Sequence, residues 1–286
     1  MTEQRYALFA QHFDVEQAMA EVAISYDRVI DNKTRYPITV DCYSPASTQA
    51  KRPVMVFLHG GSWSGGSKSQ FDNQALYFAS QHGFYTLSVD YCLSGDLPFP
   101  AAIEDSKTVV RWLKAHGDEL NIDVDSIVLA GASAGANIAA IHLASEQEGL
   151  YRVAGLYDGY DSDVQAAILL NGEYDMWDLI RCNSLVDGIS RFVASVPDAR
   201  LDLIDAVSPL QHINGKMPPT LLLHGDEDPF VSHRQSIDFA DKLTACGVYA
   251  EVEVIAGKRH NWFNEAADFM PTIHRIEAFI AALKTC

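Results

Sequence analysis

Residues 126–135, Ser126-Ile127-Val128-Leu129-Ala130-Gly131-Ala132-Ser133-Ala134-Gly135, decide the fold. Ser126 to Ala130 reads as a buried strand, the residues after Gly135 as a small-residue helix, and Ser133 falls on the turn between them. Glycines on either side of a serine let the backbone take a sharp strand-to-helix bend with little side-chain clash. The hydroxyl then stands exposed above the end of a sheet. Ser133 is therefore the candidate nucleophile. The alternative is a chance G-x-S-x-G in a Gly/Ala-rich turn, and the flanking strand and helix weigh against it.

A nucleophilic serine needs a base to take its proton, an acid to orient the base, and donors where charge develops on the substrate oxygen. Downstream, Leu221-Leu222-Leu223 runs into the acidic turn His224-Gly225-Asp226-Glu227-Asp228-Pro229. Later, Val252-Glu253-Val254-Ile255 leads to a loop ending in His260. Upstream, the apolar strand Val54-Met55-Val56-Phe57-Leu58 ends in His59-Gly60-Gly61-Ser62-Trp63. Consecutive glycines after a strand leave backbone N–H groups open to an incoming oxyanion.

In this order the set resembles α/β-hydrolases of the carboxylesterase type, near the group of hormone-sensitive-lipase-like esterases, acetyl-xylan and feruloyl-type esterases and kynurenine formamidases. The likeness runs from His59 to His260. It is carried by HGGSW at 59–63, VDYCLSGDLPFPAAIED at 89–105, GASAG at 131–135, NGEYD at 171–175, SPLQHI at 208–213 and HGDEDPFV at 224–231. Hormone-sensitive-lipase-like enzymes usually carry Asp before the serine and a third Gly after HGG. Ala132 and Ser62 stand there instead, which moves the likeness toward acetylesterases and formamidases.

The resemblance implies an α/β-hydrolase fold: a mostly parallel central sheet with helices on both faces and a small helical cap. A chain of 286 residues, 48% hydrophobic, suits one catalytic domain over 1–286. Val22 to Ile30 and Tyr36 to Tyr43 read as an opening pair of strands after a surface helix ending near residue 20. Strands then alternate with helices, including strands at Phe84 to Val89 and Ala166 to Leu170. A helix from near Pro100 presents Val109, Val110, Trp112 and Leu113 as core. Ser232 and Gln235 have capping-box spacing, and Gly247 suits the end of that helix. The alternation fails over about 172–217, where the cap is expected. Met176 and Trp177 in it, with Ser62 and Trp63, are the candidate substrate contacts, although packing accounts for most apolar residues there.

The formal net charge of −17 argues against nucleic acid and against an anionic membrane surface. The first residues lack a secretory pattern and no run approaches a membrane span, so the expected location is cytoplasmic. Cys42, Cys92, Cys182, Cys246 and Cys286 lack metal-type or redox-type spacing and read as free, mostly buried thiols. Neither metal nor organic cofactor is expected. The partner is a small ester or formamide substrate, with a homodimer left open.

Of ten histidines, His260 follows the last strand and precedes a terminal helix, as the fold requires of its base. His59 and His224 each end a strand before Gly and read as loop supports, and His212 as part of a turn. Asp228 precedes Pro229, the family's place for the acid; Asp226 and Asp175 are the alternatives, read as loop structure and cap entrance. Gly60 or Gly61, together with Ala134, would form the oxyanion hole. The expected function is hydrolysis of small acyl esters by Ser133, His260 and Asp228 through an acyl-enzyme. An arylformamidase is the alternative, and a ligand receptor without catalysis a remoter one.

Overall fold

A computed structural model describes residues 2–34, 36–46, 50–193 and 200–283. Eight strands form one sheet in the order β1-β2-β4-β3-β5-β6-β7-β8. They are β1 (Val22–Ile30), β2 (Ile38–Pro45), β3 (Arg52–Leu58), β4 (Tyr85–Asp90), β5 (Ile122–Ala132), β6 (Ala166–Leu170), β7 (Thr220–Gly225) and β8 (Ala250–Ile255). β2 runs antiparallel to β1 and to β4; every other pairing is parallel. The helices are α1 (Thr2–Arg5), α2 (Val15–Glu21), α3 (Asp72–His82), α4 (Ala101–Ala115), α5 (Gly117–Leu120), α6 (Ala134–Ser145), α7 (Met176–Arg181), α8 (Val186–Phe192), α9 (Arg200–Ala206), α10 (Arg234–Ala245) and α11 (Phe269–Leu283).

Strand alternation divides the core into two layers. Val54, Val56 and Leu58 of β3 join Val109, Val110 and Leu113 of α4, the alanines of α6 and Phe239 of α10. Met55 and Phe57 join Leu76 and Phe78 of α3 and Ile273, Ile276 and Phe279 of α11. The small residues of α6 are all buried and let that helix lie close on the sheet. Every parallel strand of the central and right-hand part thus ends at the same edge, where open α/β sheets place their sites.

Some expectations shift. The segment before β1 is a helix, a 3₁₀ turn at Phe9–Gln11 and a second helix, and it is more than surface: Tyr6, Phe9, Val15 and Ala18 are buried in the second layer. The second strand begins at Ile38, two residues later than read. The capping box does not form. Ser232 Oγ accepts only from Arg234 N, while Gln235 Oε1 accepts from Tyr174 N and Asp175 N across the fold. Gly247 does follow α10, with φ +81°. Of the thiols, Cys42 and Cys92 are buried but Cys182 and Cys246 are exposed, and Cys286 lies outside the described residues. Among the described residues no helix is long and apolar enough to cross a membrane, and no three His, Cys, Asp or Glu side chains group to hold a metal ion.

Candidate active site

Ser133 joins β5 to α6 with φ 51° and ψ −126°, a conformation a β-carbon disfavours. The bend depends on its glycines. A Cβ on Gly131 would lie 2.4 Å from Gly135 O, and one on Gly135 2.1 Å from Leu58 O. The Ser133 N–H donates to Leu170 O at 2.9 Å, pinning the turn to β6.

From this turn runs a chain of three groups. His260 Nε2 lies 3.0 Å from Ser133 Oγ, and His260 Nδ1 lies 2.5 Å from Asp228 Oδ2. The Nδ1–H donates to the carboxylate, which leaves Nε2 to accept the serine proton. Asp228 Oδ1 accepts the N–H groups of Phe230 and Val231 at 2.9 and 3.0 Å, so the turn before α10 grips its own carboxylate. His224 stands behind it: its Nε2 donates to Val231 O at 3.0 Å, lies 3.3 Å from Asp228 Oδ2, and its Nδ1 accepts from Ser236 Oγ. Burial would raise Asp228, but the hydrogen bonds from His224 and His260 outweigh it and hold this carboxyl well below the usual carboxylate range.

The expected oxyanion donors divide. Gly60 N–H already donates to Gln70 Oε1 at 2.7 Å and is not free for substrate. Among the described residues Gly61 N–H and Ala134 N–H make no such bond; Gly61 lies at φ +130° and Ala134 at the positive end of α6. Gly60 contributes its bareness instead, since a Cβ there would touch Ala132 O and Ser133 Cβ at 3.1 Å. His59 supports this loop as read. Its Nδ1 donates to Gly60 O at 2.7 Å, its carbonyl accepts from Tyr91 Oη at 2.7 Å, and its ring stacks on Tyr91.

Two polar side chains of the loop after β6 reach the same place and were not singled out from sequence. Glu173, wholly buried, has Oε1 3.0 Å from Ser133 Oγ. Burial raises its carboxyl to about 7, against the opposing pull of His260 and the Ser133 hydrogen bond. Asn171, at φ 40°, lays its amide against the imidazole, 3.1 Å from His260 Nε2. The available signal was position alone: polar residues just past the carboxyl end of a parallel strand.

The expected substrate contacts fare unevenly. Ser62 is half-buried at φ 50° in the loop after β3. Trp63 is buried, stacked on Phe192 of α8, and its Nε1 donates to Asn137 Oδ1 at 3.1 Å, which makes it a packing residue. Met176 is fully buried in the first core layer, and Trp177 is half-buried with Nε1 donating to Asp205 at 2.6 Å. Asp175 caps α7 by accepting from Trp177 N and Asp178 N. Asp226 accepts from Gly257 N, and neither carboxylate contacts His260. The exposed ring of Phe230 stands edge-on to His260 at 5.5 Å between centroids.

The family model BD-FAE matches residues 40–243. The chain belongs to that family. As a family member it is similar to the esterases LipC and LipQ of Mycobacterium tuberculosis, 29% identical over 80% of the chain and 27% over 76%. It spans 58% and 52% of those relatives' own lengths. Among solved structures, Thermogutta terrifontis esterase 2 phosphonylated by cyclosarin superimposes with a TM-score of 0.76 at 25% identity, covering 93% of this chain and 95% of that one. The α/β-hydrolase fold read from the sequence is thus the observed one.

Proposed function

We propose that this family member is a carboxylic ester hydrolase that cleaves small acyl, acetyl-type esters through an acyl-enzyme. The observation that carries the reading is the hydrogen-bonded chain Ser133–His260–Asp228, beside whose serine the N–H groups of Gly61 and Ala134 have no partner among the described residues. Ser133 attacks the ester carbonyl while His260 Nε2 takes its proton. The oxyanion settles on Gly61 and Ala134, and the imidazolium, paired with Asp228, returns the proton to the leaving alcohol. Water enters by the same route and releases the acid. The names of LipC and LipQ as esterases and the phosphonylation of esterase 2 support this reading.

Small acyl groups are favoured because the oxyanion loop is filled from behind. Ser62 backs onto α8 at Gly188, where Trp63 stacks on Phe192 and Phe99 meets Phe192 edge-on. A chain extended against such a wall meets steric rejection rather than the gain of about 0.8 kcal/mol per buried CH₂. The test is kcat/KM across p-nitrophenyl esters from acetyl to octanoyl, acetylated sugars and N-formyl aromatic amines. A steady rise with acyl length overturns the small-acyl reading. Faster turnover of an N-formyl aromatic amine than of every ester replaces it with arylformamidase chemistry.

A further inference from the structure

The Ser133 hydroxyl has one proton and two flanking acceptors at equal distance, His260 Nε2 and Glu173 Oε1, each at 3.0 Å. Glu173 is wholly buried, and its other oxygen, Oε2, has no hydrogen-bond partner among the described residues. It takes part in no salt bridge among them. A buried carboxylate so poorly matched is costly, whereas a carboxylic acid in the same place has a donor to offer. The two protonation states also order the site differently. When Glu173 is ionised, the hydroxyl can satisfy only one acceptor, and the charged oxygen is the stronger. When Glu173 carries a proton, every bond in the row has a direction: Glu173 O–H to Ser133 Oγ, Ser133 O–H to His260 Nε2, His260 Nδ1–H to Asp228.

We infer that Glu173 is a positioning residue for the nucleophile, turning the serine proton toward His260 in its acid form and capturing that proton in its carboxylate form. The inference rests on Ser133 being the nucleophile. In the attack the hydroxyl proton passes to His260 Nε2 as the Oγ–C bond forms and the carbonyl π pair moves onto oxygen. Glu173 keeps its own proton throughout.

The titratable groups facing Glu173 are His260 and Asp228 from the loops after β8 and β7, Tyr91 after β4, and its neighbour Tyr174. A charge on Glu173 would favour the imidazolium and disfavour the oxyanion. Because those form in the same step, the two effects oppose, and the direction of the hydrogen bond separates the two states. Burial brings Glu173 to about 7, so both states occur in the range where the protein is assayed. With the imidazole neutral, the species in which Glu173 keeps its proton is the reactive one.

The test is the rate at which a fluorophosphonate labels Ser133, read by mass spectrometry from about pH 5 to about pH 10. Wild type should show an alkaline fall of about tenfold as Glu173 ionises. Glu173→Gln, whose amide donates to Oγ at every pH, should rise to a plateau with no alkaline fall. Glu173→Val, with neither donor nor acceptor, should label more slowly throughout and also lack the fall. An alkaline fall that persists in Glu173→Gln overturns the inference, as does a wild-type profile that already lacks one. A loss in both variants by a constant factor at every pH would mean a packing role alone and also overturns it. No labelling of Ser133 in wild type at any pH would overturn the nucleophile reading, and this inference with it.

Discussion

Asp228 Oδ2 stands 2.5 Å from His260 Nδ1, and the same oxygen lies 3.3 Å from His224 Nε2. Two imidazoles and two backbone N–H groups therefore fix one carboxylate, and through it the tautomer of the base. Asp228→Asn should lower kcat on the order of 10⁴-fold, because the amide no longer enforces the Nδ1–H tautomer. Asp175→Asn and Asp226→Asn should lose far less, since their carboxylates serve a helix cap and a turn. Steady-state kinetics on p-nitrophenyl acetate separates the three, and a larger loss at Asp175 would move the acid to the earlier loop.

The same carboxylate carries a pH signature. Its folded value lies below its unfolded one, so the stability it contributes is present above the ordinary carboxylate range and lost as pH falls through the depressed value. The Tm gap between wild type and Asp228→Asn should narrow as pH drops below about 4. A gap independent of pH would contradict a carboxylate held by these hydrogen bonds.

Glu173 has the opposite sign. Its folded value of about 7 exceeds the unfolded one, so the native state binds the extra proton and stability falls as pH rises through that window. Glu173→Gln escapes this loss. Its Tm relative to wild type should climb between about pH 4 and pH 8, by an amount on the order of 3 kcal/mol in stability. A constant difference across that range would show that the carboxyl does not titrate there.

Gln70 predicts a milder kinetic defect. Its Oε1 holds the Gly60 N–H at 2.7 Å and so sets the loop that carries Gly61. Gln70→Ala should reduce kcat by about tenfold with KM little changed, a fraction of the cost of deleting an oxyanion donor outright. An unchanged kcat would show that the loop is set by His59 and Tyr91 alone.

How much of this was legible follows from the range of the forces involved. The elbow was readable because Gly131 and Gly135 answer to a clash with chain nearby in space and the serine sits between them. That Asp228 and His260 lie together beside Ser133 was readable because each follows a strand of clear apolar run, and strand order fixes where such loops meet. Glu173, Asn171, Gln70 and Asn137 were not. Each acts through a partner distant in sequence, and the local pattern, a strand end for Glu173 and Asn171 and an apolar helix for Asn137, does not name that partner. Gln235 shows the same limit from the other side. Local spacing suggested a cap, but the carboxamide is taken by backbone N–H groups sixty positions away. The apolar candidates Trp63 and Met176 were drawn toward the site by position and into the core by burial.

If one serine carries the chemistry, purified Ser133→Ala compared with wild type on p-nitrophenyl acetate shows it. The variant should fold and its kcat should be lower by something like 10⁶-fold, the loss seen when a serine-protease nucleophile is removed. A Ser133→Ala protein that still turns over the ester within about tenfold of wild type would contradict it.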